Sequence, residues 1–207
     1  MNRQGKVRGR RLLFAAALVL GGSALAADFA TDTPETTIAT LQHGLVELAA
    51  AKPNVTVAER YRALEPLIKG THDLPYIAEF ALRRQWPSLS EPDRQRFIAA
   101  FERLSVMTYA SRFKRVGAET FTVKGASEAG PERVEVATAV ARPGDTDVAL
   151  EYLLQRRPDG WKIINIIADG VSDLALKRAE YQRIISLGSL DDLIAELQAQ
   201  AARLEQN

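Results

Sequence analysis

Apolar residues recur along this chain with two different periods, and the change between them divides it. Ile38, Leu41, Leu45 and Leu48 follow at spacings of three and four, one face of a helix. Asp32-Thr33-Pro34-Glu35 before them is a helix start, with a cap, a proline in the first turn and an acid. Lys52-Pro53-Asn54 ends that helix. Thr56-x-x-Glu59 is a capping box for a second helix carrying Tyr61, Leu64, Leu67 and Ile68. Pro66 predicts a kink or break in it, and Gly70 its end. A third helix starts near Asp73, carries Ile77, Phe80 and Ala81 on one side, and ends near Trp86-Pro87. Ser90 caps a fourth, with Phe97, Phe101, Leu104 and Tyr109, which runs to about Phe113.

At Gly117 the period becomes two. Phe121 and Val123 form one alternating run, and Val134, Val136, Thr138 and Val140 a second. Val148, Leu150, Tyr152 and Leu154 form a third, and Trp161, Ile163, Asn165 and Ile167 a fourth. The connections at 128–131, 142–145 and 157–160 are short and rich in Gly, Pro and Asp, which makes the runs an antiparallel meander. Ala137, Ala139, Leu153, Ile164 and Ile166 between them are apolar too, so the sheet is expected to be partly covered on both faces. Ser172 then caps a helix with Leu174, Leu176, Tyr181, Ile184 and Ile185, and Gly188 ends it. Ser189-x-x-Asp192 opens the last helix, with Leu190, Leu193, Ile194, Leu197 and Leu204. The fold class is α+β: a four-stranded antiparallel sheet flanked by N-terminal and C-terminal helices in one domain. Such a layout holds either a packed core or an apolar pocket, and periodicity does not separate the two.

The start of the chain reads differently. Arg3, Lys6, Arg8, Arg10 and Arg11 come before the first acid, Asp28, and an apolar run from Leu12 to Leu20 follows them. Ala24-Leu25-Ala26 closes the segment, so residues 1–26 read as a signal peptide cut after Ala26, with Ala27 the alternative. The apolar run is shorter than the roughly 20 residues that a membrane span needs. No cysteine follows it to accept a lipid. The chain as a whole has 27 basic and 26 acidic residues, a formal charge of +1. The first 26 residues hold five of the bases and none of the acids, so the 181 residues that remain carry −4. The apparent basic balance therefore belongs to export, and an exported acidic chain does not suit nucleic acid. The expected location is the periplasm, with residues 27–207 as the working domain.

Candidate chemistry is sparse. The chain has no cysteine and two histidines, His43 and His72, which excludes thiol chemistry and a multi-histidine metal site. None of G-x-S-x-G, a P-loop, H-E-x-x-H or G-x-G-x-x-G is present, and no cofactor is called for. The carboxylate best placed for acid–base work is Asp169, after an apolar strand; a turn explains it equally. Asp73, beside His72, and Ser172 are explained as helix caps. Arg112, Lys114 and Arg115, beside Tyr109 and Phe113, suit a helix C-terminus. They equally suit docking to lipid headgroups or to an acidic partner.

Gly160-Trp161-Lys162-Ile163-Ile164-Asn165-Ile166-Ile167-Ala168-Asp169-Gly170-Val171-Ser172 resembles the signature segment of the MlaC family: a tryptophan-bearing strand, an acid-Gly-Val-Ser turn, then a helix. Ile77-Ala78 to Trp86, Ser90-x-x-Asp93-Arg94-Gln95-Arg96-Phe97, Phe101 to Tyr109 and the break at Gly188 are similar to that family as well. The resemblance spans about Leu64 to Leu204. Asp173-Leu174-Ala175-Leu176-Lys177-Arg178-Ala179-Glu180-Tyr181 looks closer to the hopanoid-associated branch, HpnM, than to the phospholipid carriers proper. The resemblance implies a non-enzymatic periplasmic carrier that shuttles phospholipid or hopanoid between inner and outer membranes in an apolar pocket between sheet and helices. It implies as partners an inner-membrane ABC-type lipid transporter and an outer-membrane lipoprotein complex. The candidate lining residues are the strand positions Val136, Val140, Leu150, Tyr152, Ile163 and Ile167. Tyr109, Phe113, Phe121 and Val171 join them, where helix meets sheet and where the signature turn meets its helix. Two other classes stay open: a periplasmic interaction module that holds a membrane complex together, and a small α+β enzyme on a lipid-like substrate with Asp169 as base.

Overall fold

The computed structural model describes residues 29–51, 55–112, 120–141, 144 and 146–206. The segment read as a signal peptide, the helix end at Lys52-Pro53-Asn54, Phe113, Gly117 and most of the 142–145 turn lie outside the described residues. Four helices come first: α1 (Pro34–Ala51), α2 (Val57–Thr71), α3 (Leu74–Ala81) and α4 (Glu91–Arg112), with a 3-10 turn at Trp86–Ser88. Five strands follow: β1 (Thr120–Gly130), β2 (Arg133–Ala141), β3 (Val148–Arg157), β4 (Gly160–Ala168) and β5 (Val171–Ser172). Helices α5 (Asp173–Leu187) and α6 (Leu190–Gln206) complete the order. The strands pair antiparallel in sequence order.

The capping signals act where they were read. Thr56 Oγ1 accepts from Glu59 N at 3.2 Å while Glu59 Oε2 accepts from Thr56 N at 3.0 Å. Ser90, Ser172 and Ser189 accept the N–H of Asp93, Ala175 and Asp192, and Asp73 accepts that of Tyr76. At α1 the capping side chain is Thr33, bonded reciprocally with Thr36. Helix α2 runs through Pro66 without the expected break. Pro66 is exposed, so water can serve the Arg62 carbonyl that the missing N–H leaves open. Gly70 lies inside this helix instead of ending it. A Cβ there would sit 2.5 Å from the Phe29 ring, so glycine is required for close approach.

The sheet has five strands, one more than the four read from the alternating runs. Asp169 (φ 48°) and Gly170 (φ 79°) form a tight left-handed turn that folds Val171-Ser172 back onto Ile167-Ala168. Two residues are too few to show a period, so the sequence reads there only as turn and cap. Strand β5 also completes the cover of an otherwise open edge. Further along β4, Trp161 N donates to Thr31 O at 2.8 Å and Asp73 N to Ile163 O at 3.0 Å. An edge so occupied has few free backbone groups left for another chain.

The core lies on one face of the sheet. Val136, Tyr152, Leu154 and Ile163 pack with Ile38 and Leu41 of α1, Leu64 and Ile68 of α2, Phe97 and Phe101 of α4, and Leu193 and Leu197 of α6. Tyr181 of α5 closes the far side, edge-on to Phe97 at 6.0 Å. The other face carries Glu135, Glu151 and Gln155 with half-buried Leu153, so it is covered only in part.

Candidate functional site

The strand register decides which side chains share the helix-facing side. Phe121 lies opposite Val140, Val136 opposite Tyr152, and Leu150 opposite Thr138. Ile163 lies opposite Leu154. Cross-strand partners point to the same face, so Phe121, Val136, Val140, Leu150, Tyr152 and Ile163 are brought together. Ile167 is not. Strand β4 carries one extra residue where Leu153 meets Asn165 and Leu154 meets Ile163. This bulge at Ile164 breaks the period of two. Beyond it Ile166 pairs with Tyr152, and Ile167 pairs with Glu151 on the other face. Val171 lies opposite Ala168 at the β5 edge and is 51% exposed. Tyr109 is half-buried, near the end of α4.

A row of polar groups crosses this otherwise apolar layer. His72, where α2 gives way to α3, is buried. Its Nδ1 lies 3.1 Å from Ile68 O and its Nε2 3.0 Å from Tyr109 Oη. A carbonyl only accepts, so Nδ1 carries the proton and Nε2 accepts from the phenol. Burial lowers the His72 pKa to about 4, with the Ile68 bond opposing the shift, so the ring is neutral at neutral pH. Burial likewise raises the Tyr109 phenol well above its usual value, and the neighbouring Tyr152 adds to the rise. The Tyr152 phenol is itself raised by burial to about 12.

Beside Tyr152 stands Gln42 of α1. Gln42 belongs to the same stripe as Ile38, Leu41 and Leu45 and is 7% exposed. Its amide is close enough to Tyr152 to offset part of that phenol's shift, yet Nε2 has no partner in hydrogen-bonding geometry. A buried donor left unpaired costs about 1–3 kcal/mol. Sequence reasoning passed over Gln42. The signal was a polar residue four positions after Ile38, on the apolar side of the helix. His72 stands out in the sequence only as one of two histidines, beside the Asp73 cap.

The remaining polar groups hold the fold together. Asp73 Oδ2 accepts from Arg157 Nε at 2.6 Å, tying α3 to β3. Asn165 Oδ1 accepts from Ser172 Oγ at 3.2 Å and from Leu174 N at 3.3 Å, which seats the first turn of α5 on β4. Asp169 Oδ1 accepts from Ala149 N at 3.0 Å, so the carboxylate considered as a base is engaged with the backbone at the start of β3. Among the described residues no three His, Asp or Glu side chains gather as a metal site. A groove of about 550 Å³ runs between α4 and α6, lined by Arg96, Ala99, Arg103, Asp191 and Ile194. Its two arginines are paired with Asp191 and Glu205.

The layout of this chain matches known proteins. The family model described as MlaC protein matches residues 39–199. A phospholipid-binding protein from Ralstonia solanacearum, solved in complex with a phospholipid, aligns with a TM-score of 0.73 and 22% identity. The alignment covers 81% of this chain and 96% of that one. At that identity the likeness is one of fold. Among curated proteins none matches significantly.

Proposed function

Since the chain belongs to the MlaC family, we propose that it is a periplasmic lipid carrier that binds one phospholipid or hopanoid molecule between its sheet and its helices. The observation that carries this reading is the extent of the family match, residues 39–199, which takes in most of α1 and α6 and everything between. The Ralstonia solanacearum protein of the same fold was solved holding a phospholipid, which supports the choice of cargo. The branch-like sequence after Ser172 keeps hopanoid beside it as the alternative.

The physics of the cargo sets what the protein must supply. Each methylene kept from water contributes about 0.8 kcal/mol, so one long acyl chain contributes on the order of 10 kcal/mol. A carrier needs apolar walls and few polar groups, and its binding is reversible and non-covalent. We assign the wall to Phe121, Val136, Val140, Leu150, Tyr152 and Ile163. Ile166 takes the place first given to Ile167, Tyr109 and Val171 form the rim, and Phe113, outside the described residues, is kept as a candidate from the sequence alone. On this reading residues 1–26 direct export, and no described helix is long and apolar enough to cross a membrane. The carrier then shuttles between an inner-membrane lipid transporter and an outer-membrane lipoprotein complex, and catalyses nothing. Transfer of labelled lipid between two vesicle populations tests the reading. Adding the protein should speed transfer in proportion to its concentration. A rate equal to that of vesicles alone would overturn it.

A further inference from the structure

We infer that Gln42 is a ligand-binding residue whose side-chain amide donates a hydrogen bond to the ester carbonyl of an acyl lipid lodged between α1 and the sheet. This rests on the lipid-binding reading above. Three observations lead there. First, Gln42 stands on the apolar stripe of α1 and is 7% exposed, a place where a polar group is expected to be hydrogen-bonded. Second, its Nε2 is buried and unpartnered. Third, the neighbouring groups do not take up this donor. The Tyr152 phenol lies close enough for the amide to ease its ionisation, but not in the geometry of a formed hydrogen bond, and the next phenol in the row, Tyr109, meets His72.

An amide N–H is a donor only, so the missing partner is an acceptor. The acceptor is neutral, because burying a phosphate calls for a cation beside it. The buried cations of the described chain, Arg60 and Lys162, are turned to the Ala110 carbonyl at 3.1 Å and the Gly70 carbonyl at 2.6 Å. A neutral acceptor attached to long apolar chains is the carbonyl of an acyl ester.

The test compares two lipids that differ only in that carbonyl. Protein stripped of lipid is loaded from vesicles of dioleoyl phosphatidylglycerol and, in parallel, from vesicles of its dialkyl ether analogue. The intact protein should bind the ester lipid about fivefold to tenfold more tightly than the ether, the worth of one hydrogen bond. Gln42→Leu should abolish that ratio and raise the Tm of the lipid-free protein, since it removes an unpaired donor. Equal binding of ester and ether by the intact protein would overturn the inference while leaving lipid carriage intact, and needs no variant to fold. Binding of neither lipid would overturn both. A hopanoid polyol in a third arm, weakened by Gln42→Leu as strongly as the ester lipid, would overturn the assignment to an ester.

Discussion

The buried His72 imidazole is held on both sides, by the Ile68 carbonyl at Nδ1 and by the Tyr109 phenol at Nε2. Its pKa of about 4 against an ordinary 6.5 makes it a stability switch with a definite sign. The unfolded chain takes up the proton at higher pH than the folded one, so acid favours unfolding. The contribution is intact above about pH 6.5 and is lost as pH falls toward 4, by about 3 kcal/mol in total. Urea titrations at pH 7 and pH 4.5 check this. Stability of the intact chain should fall more steeply between those pH values than that of His72→Gln. Parallel slopes would show that the ring is not held neutral. Tyr109→Phe leaves Nε2 without its donor and should cost about 1–3 kcal/mol at pH 7. The residue scale was also the least legible in sequence. Val136, Tyr152 and Ile163 announce burial by their period. The Gln42 donor becomes a site only once Tyr152 is seen beside it across the α1–sheet contact.

Among the elements, the helix starts were readable because capping is local: Thr56-Glu59, Ser90, Ser172 and Ser189 each bond within three residues. The bulge at Ile164 was not, because a strand announces its alternation but not an added residue. That one residue exchanges Ile167 for Ile166 on the helix-facing side. Tryptophan scanning separates the two. Ile166→Trp should lower lipid retention or, in a filled core, destabilise by about 1–3 kcal/mol. Ile167→Trp should do neither to the same extent. The signature segment gains a structural reason as well. Asn165 supplies the acceptor that fixes Ser172 and Leu174, so strand, turn and helix α5 are one unit. Asn165→Ala should cost about 1–2 kcal/mol, in the range of a lost helix cap. Hydrogen exchange should rise first at the start of α5. Unchanged protection there would show that the helix is seated by its apolar contacts alone.

The whole molecule was read correctly in class and in order, because the change of period and the short turns are long-range features of the pattern. The fifth strand was too short to leave one. Net charge is +1 for the whole chain and −4 for residues 27–207 alone. On the proposed reading, a carrier exported without residues 1–26 has no electrostatic pull toward anionic membranes, so its lipid exchange should depend weakly on salt. The α4–α6 groove is bordered by paired charges at Arg96–Asp191 and Arg103–Glu205 and lies away from the sheet. The account therefore rests on cargo held between α1, α4 and the sheet. Native mass spectrometry of the purified protein tests this most directly. The account predicts a species heavier than the chain by one lipid, which organic extraction releases and vesicle incubation restores. A single species at the mass of the bare chain, unchanged after incubation with phospholipid and hopanoid vesicles, would contradict it.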